Sequence, residues 1–144
     1  MWRALSYDSL GKADAFDTWR SIVFPGVDAR PVEPATDAGF HAAAAVLMAG
    51  RLEFWRYRSG PIEVHRSIAS CRADDGDQIN LTLMRSGRAV IEQNGSVTMN
   101  AGDIGWFDMA RPLRSRWEGH SDINLMIPRD TARRVLGSLD ACRG

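Results

Sequence analysis

Between Ile79 and Phe107 apolar and polar residues alternate in short runs, each broken by turn-forming residues. Ile79, Leu81 and Leu83 alternate with Asn80, Thr82 and Met84, the two-residue period of a strand with unlike faces. Ser86-Gly87 interrupts that run, and a second extends from Arg88 to Gln93. Asn94-Gly95 follows; both central positions of a type I′ turn need positive φ, which Asn and Gly tolerate, so the pair signals a hairpin. Val97 and Met99 continue the alternation up to a turn at Asn100–Asp103. Ile104 and Trp106 then share one face, with Phe107 on the other. The pattern predicts four short strands in an antiparallel meander, which the rest of the chain must cover.

On the N-terminal side, residues 1–13 have little periodicity and read as an arm. Phe16, Trp19 and Val23 recur at helical spacing, so Asp14–Val23 is expected to be a helix, capped by Asp14 and stopped by Pro25-Gly26. Gly39–Met48 fits either a short alanine-rich helix or a buried strand. Strand is the reading adopted, because strands follow it. In Leu52–Arg58, Leu52 and Phe54 oppose Glu53, Trp55 and Tyr57; Ile62–Ile68 puts Ile62, Val64, Arg66 and Ile68 on one face. Ala73–Asp77 is read as a turn. Beyond the meander, Leu113–Trp117 and Ile123–Ile127 read as two strands, and Thr131–Leu139 as a helix capped by Asp130, with an apolar stripe of Val135, Leu136 and Leu139. Eight or nine strands with a helix at each end favour an all-β sandwich or barrel over βα units.

Composition narrows the function. The chain has 144 residues, enough for one domain with a core of its own. Its 18 basic and 18 acidic residues balance, which argues against nucleic-acid binding by these residues themselves. Cys71 and Cys142 stand far apart and read as ordinary thiols. No secretory leader precedes a cleavage site, and the longest apolar run, Ala42–Gly50, is too short to span a bilayer. A cytoplasmic protein is expected.

No catalytic constellation is visible. His41, His65 and His120 stand singly, whereas a catalytic metal needs about three converging ligands. Neither a nucleophile elbow nor a phosphate-cradling glycine loop occurs. No metal and no cofactor is therefore expected. What stands out is Arg66 on an apolar face. It is read either as an internal ion-pair residue or as a fork that grips a polar ligand inside the barrel. Trp55, Trp106 and Trp117, on three different strands, are either core filler or the walls of a small-molecule pocket.

Several spaced fragments point to one family. Phe16-x-x-Trp19, Gly39-Phe40, Val64-x-Arg66-Ser67, Leu83-x-x-Ser86-Gly87, Gln93-Asn94-Gly95, Ala101-Gly102-Asp103, Asp108-x-x-Arg111-Pro112 and Ile127-Pro128-Arg129 occur in that order. Over about residues 14–137 the chain resembles the N-terminal sensing domain of AraC-type transcriptional regulators, of the AraC-binding-domain-2 group. The resemblance implies a cupin-like double-stranded β-helix (a jelly-roll barrel) over residues 14–144, serving as effector pocket and dimerisation module. It implies a small-molecule effector, a homodimer, no membrane, and DNA contact only through a helix-turn-helix domain absent from this chain. Arg66, Trp55, Trp106 and Trp117 are the expected ligand-binding residues. Two other readings compete: a small metal-dependent cupin isomerase or dioxygenase, and a ligandless dimerisation module whose packed barrel has no cavity of about 300 Å³ or more.

Overall fold

The computed structural model describes residues 1, 3–6, 15–32, 41–73 and 76–137. Within them an antiparallel sheet of nine strands folds into a cupin-like barrel. In order these are β1 (Arg3–Ser6), α1 (Ala15–Val23), β2 (Asp28–Pro31), β3 (Ala42–Ala49), β4 (Leu52–Ser59) and β5 (Ile62–Arg66). They continue with α2 (Ile68–Ala73), β6 (Gln78–Glu92), β7 (Ser96–Asn100), β8 (Ile104–Asp108), β9 (Leu113–Pro128) and α3 (Arg129–Leu136). The alanine-rich run is a strand, and part of the expected arm is one too, since β1 pairs with β3. Asp14, Leu139 and Cys142 lie outside the described residues.

Four expected strands are in fact two long ones. β6 runs unbroken through Ser86-Gly87, because a slip of register between Met84, Ser86 and Arg88 bends it without ending it. β9 likewise joins Leu113–Trp117 to Ile123–Ile127 through Gly119. The bends face one another. Gly87 has φ of 83°, and a Cβ there would lie 2.3 Å from the Gly119 carbonyl oxygen, so only glycine fits. The predicted meander is corrected accordingly: β7 pairs with the second half of β6, β8 returns to its first half, and β9 runs along the opposite side. The Asn94-Gly95 turn is as expected, with Asn94 at φ 58°.

Two helix assignments change. Ile68 leaves the β5 face and opens α2, where it is exposed. α3 starts at Arg129, so Asp130 sits in its first turn and not at the cap. Its buried side chain is Ala132, while Val135 and Leu136 face outward. The last strand and this helix are joined to the sheet by ion pairs from Arg129 to Asp108 and Asp77.

The interior holds two apolar clusters. One gathers Trp19 and Val23 of α1 with Ala29, Ala42, Ala44, Ile62 and Val64. The other gathers Met84, Ala89, Ile91, Met99 and Phe107. Trp117 packs against both.

Candidate functional site

Between these clusters lies a cavity of about 320 Å³, roofed by α1 and the segment after it. Strand parity decides what lines it. On β4 the inward residues are Glu53, Trp55 and Tyr57, on β5 Ile62, Val64 and Arg66, and on β6 Gln78 and Asn80. On β9 they are Ser115 and Trp117 in the first half, then His120, Asp122, Asn124 and Met126. The alternate residues Leu81, Leu83, Ile123, Leu125 and Phe54 therefore face away from the cavity. The more polar face of both long strands is turned inward.

Three of the four expected ligand-binding residues, Arg66, Trp55 and Trp117, line the cavity. Trp106 does not: it stands opposite Leu81 on the outer face of β8, and its neighbour Phe107 points in. Arg66 is buried, and its Nε donates to the Met109 carbonyl at 2.7 Å, bracing the wall where β8 ends.

The two strand tryptophans of the cavity, Trp55 and Trp117, are each oriented by the residue two places before on the same strand face. The Trp55 indole N–H donates to Glu53 Oε2 at 2.9 Å, and that of Trp117 to Ser115 Oγ at 2.8 Å. Trp55 stacks on Tyr57, with ring centres 5.5 Å apart and planes 10° apart, and Tyr57 stacks on Phe24 beneath α1. The result is an aromatic column reaching from the roof into the cavity.

Beside it on the same sheet face, in register with Trp55 and Tyr57, is a polar row that the sequence reading missed. Thr82 Oγ1 and Asn80 Nδ2 donate to Asn124 Oδ1 at 2.6 and 3.0 Å, and Asn124 Nδ2 donates to Asp122 Oδ1 at 3.0 Å. Asn80 Oδ1 is buried without a partner. The available signal was the spacing His120-x-Asp122-x-Asn124 against Asn80-x-Thr82, polar positions repeating every second residue within otherwise apolar strands.

The row ends at a Ser59–His120–Asp122 group whose order resembles a hydrolytic triad. Its hydrogen bonds run the wrong way for one. The Ser59 hydroxyl donates to the Gly60 carbonyl at 2.9 Å, so its oxygen accepts from His120 Nδ1–H, 3.3 Å away. His120 Nε2 then turns a lone pair toward Asp122 Oδ2 at 3.7 Å. Burial lowers the His120 pKa to about 4. Burial also raises that of Asp122 to about 7, against the opposing hydrogen bonds from Asn124 and the Tyr57 backbone. Near neutrality the pair is an uncharged imidazole beside a carboxyl poised to hold or lose its proton. Serine is not activated by this arrangement; the group serves as a polar wall. Burial also pushes the Tyr57 phenol well above its ordinary value, helped by the nearby Asp122 and Glu53 charges.

Among the described residues, no three His, Cys, Asp or Glu side chains cluster as a metal site, and no helix is long and apolar enough to cross a membrane.

Comparison with known proteins bears on the fold and the family. The crystal structure of the AraC-like transcriptional activator CuxR superposes with a TM-score of 0.86 at 23% identity, over 97% of this chain and 52% of that one. The chain thus spans about half the length of that protein. KdgF from Halomonas sp. aligns with a TM-score of 0.44 at 13% identity, over 71% of this chain and 86% of its own. An RmlC-like cupin protein from Desulfovibrio desulfuricans aligns at 0.46 and 9% identity, over 67% and 90%. No curated protein matches the chain. The sequence model of the AraC-binding-like domain matches residues 18–142, nearly the whole length. By that match the chain belongs to the AraC-binding-like domain family.

Proposed function

We propose that this domain senses a small organic molecule and dimerises, and that it thereby controls a helix-turn-helix domain, attached or supplied by another chain, that contacts DNA. It binds its guest without transforming it. The observation that carries this reading is the 320 Å³ cavity, whose lining combines Trp55, Tyr57 and Trp117 with members of a hydrogen-bonded polar row beside them. A site of that size with an apolar body and few convergent polar groups is what small-molecule recognition requires. Arg66 belongs to the same wall. Family membership and the CuxR-like fold agree with a regulatory role.

A sensor also needs a path from guest to output: the ligand must favour one arrangement of the domain over another. Phe107 and Met126 line the cavity. Phe107 adjoins Asp108, and Met126 lies three residues before Arg129, the pair that ties α3 to the sheet. A guest that moves either side chain acts on the strand ends where α3 is anchored. Dimerisation is assigned to the outer apolar face of the sheet around Leu83 and Ile104.

The test is a thermal-shift screen of small organic metabolites run in parallel on the parent and on Ser115→Leu. Ser115 faces the cavity, so leucine there fills it. Specific ligands raise the melting temperature of the parent and not of the variant. Ligands that stabilise both equally, or none at all while the cavity stays open, contradict the reading.

A further inference from the structure

Two carboxyl groups line the cavity, and neither faces a cation. Glu53 accepts only the Trp55 indole N–H among the side chains. Asp122, 3% exposed, accepts from the Asn124 amide, and its one basic neighbour is His120, which burial keeps uncharged. The arginine of the lining, Arg66, points its Nε at the Met109 carbonyl. A carboxylate held out of water without a counter-ion is costly, and the fold relieves that cost at Asp122 by raising its proton affinity. The surrounding walls are aromatic faces, whose negative quadrupole favours cations. The cavity also carries an unused acceptor: Asn80 Oδ1 is buried and unpaired. Acceptors, uncompensated carboxyls and aromatic faces all ask the guest for the same thing.

We infer that the guest is an organic amine, its protonated nitrogen held by Asp122 and its apolar body lying against Trp55 and Trp117. This rests on the cavity being the ligand site and names the chemical class that fits it. The groups around Asp122 are Glu53 and Tyr57 on β4, Arg66 on β5, Asn80 and Thr82 on β6, and His120 on β9; of these Arg66 alone is a fixed cation, and it is bonded to the wall. Binding an ammonium therefore displaces the Asp122 proton. Affinity for the amine rises with pH through the range in which Asp122 ionises, while that of an uncharged analogue stays level.

The experiment uses matched probes: 3-phenylpropylamine, 3-phenylpropanol and 3-phenylpropionate, with the corresponding cyclohexyl series. Binding is followed by tryptophan fluorescence and by melting temperature at pH 6 to 8.5. The amine is expected to bind at least about tenfold more tightly than the alcohol, and the carboxylate more weakly still. Asp122→Asn weakens amine binding by a similar factor and leaves alcohol binding within about twofold. The pH dependence of amine binding to the parent keeps the test open if Asp122→Asn fails to fold. A carboxylate probe that binds best, amine binding untouched by Asp122→Asn, or amine affinity that does not rise with pH overturns the amine assignment alone. Failure of every probe, whatever its charge, counts against the cavity as a ligand site and against this inference with it.

Discussion

Thr82, fully buried on β6, donates a 2.6 Å hydrogen bond to Asn124 on β9. Asn124 also takes a bond from Asn80 and gives one to Asp122, so three side chains depend on one amide. Inside a barrel such a chain is stabilising only while every member is paired. Asn124→Leu, which would suit an ordinary apolar core, is expected to destabilise the domain by about 2–4 kcal/mol, because it strands Thr82, Asn80 and Asp122 together. Urea denaturation checks this. A variant as stable as the parent would mean that the row is not bonded as described.

The His120–Asp122 pair makes a prediction about pH. Asp122 binds its proton more tightly folded than unfolded, so its contribution to stability is present at low pH and lost as pH rises from about 4 to about 7. His120 binds its proton less tightly when folded, so its contribution is present above about pH 6.5 and lost as pH falls toward about 4. In the parent the two slopes oppose and stability stays nearly level between pH 4.5 and 6.5, roughly. Removing one partner exposes the other. His120→Gln should lose stability as pH rises through that window and Asp122→Asn should gain it, each by up to about 1.4 kcal/mol per pH unit. Melting curves across the window read the sign directly, and slopes of the same sign in both variants would contradict the assignment.

The face turned away from the cavity is apolar across five strands. Leu47, Phe54, Leu125, Leu81 and Trp106 stand side by side in register on β3, β4, β9, β6 and β8. Leu83, 37% exposed, and Ile104, 68% exposed, pair next to them, and Val135 and Leu136 of α3 are exposed as well. This band is the surface to which the proposed dimerisation is assigned. Leu83→Glu combined with Ile104→Glu is therefore expected to shift the proposed dimer to monomer in sedimentation equilibrium without lowering the melting temperature of the monomer. Unchanged association would move the interface elsewhere.

The elements and the class of fold were legible because period-two alternation and the Asn94-Gly95 turn report local backbone needs directly. Three of the fragments that suggested the family, those holding Gln93, Asp108 and Arg129, prove to be neighbours in space. Gln93 accepts the Asp108 N–H at 2.9 Å and donates to its carbonyl at 2.8 Å, and Asp108 in turn pairs with Arg111 and Arg129. Other features were hidden for physical reasons. A bulge and a turn look alike at Ser86-Gly87, since both call for glycine; only the partner strand shows that β6 continues. Trp106 and Phe107 are equally apolar, and which one faces inward depends on pairing with β6, a non-local fact. The polar row was obscured because a hydrophobic alternation is normally read with its apolar face inward. Here Leu81, Leu83, Ile123 and Leu125 face out.

The tryptophans provide the most direct measurement of whether a guest sits in the barrel. Trp55 and Trp117 line the cavity and Trp106 lies outside it. Any compound that stabilises the domain should be titrated against the parent and the Trp55→Phe, Trp117→Phe and Trp106→Phe variants, with emission recorded for each. The change on binding should survive in Trp106→Phe and shrink in Trp55→Phe and Trp117→Phe. A signal that vanishes only with Trp106 would put the guest on the outer face and contradict the account.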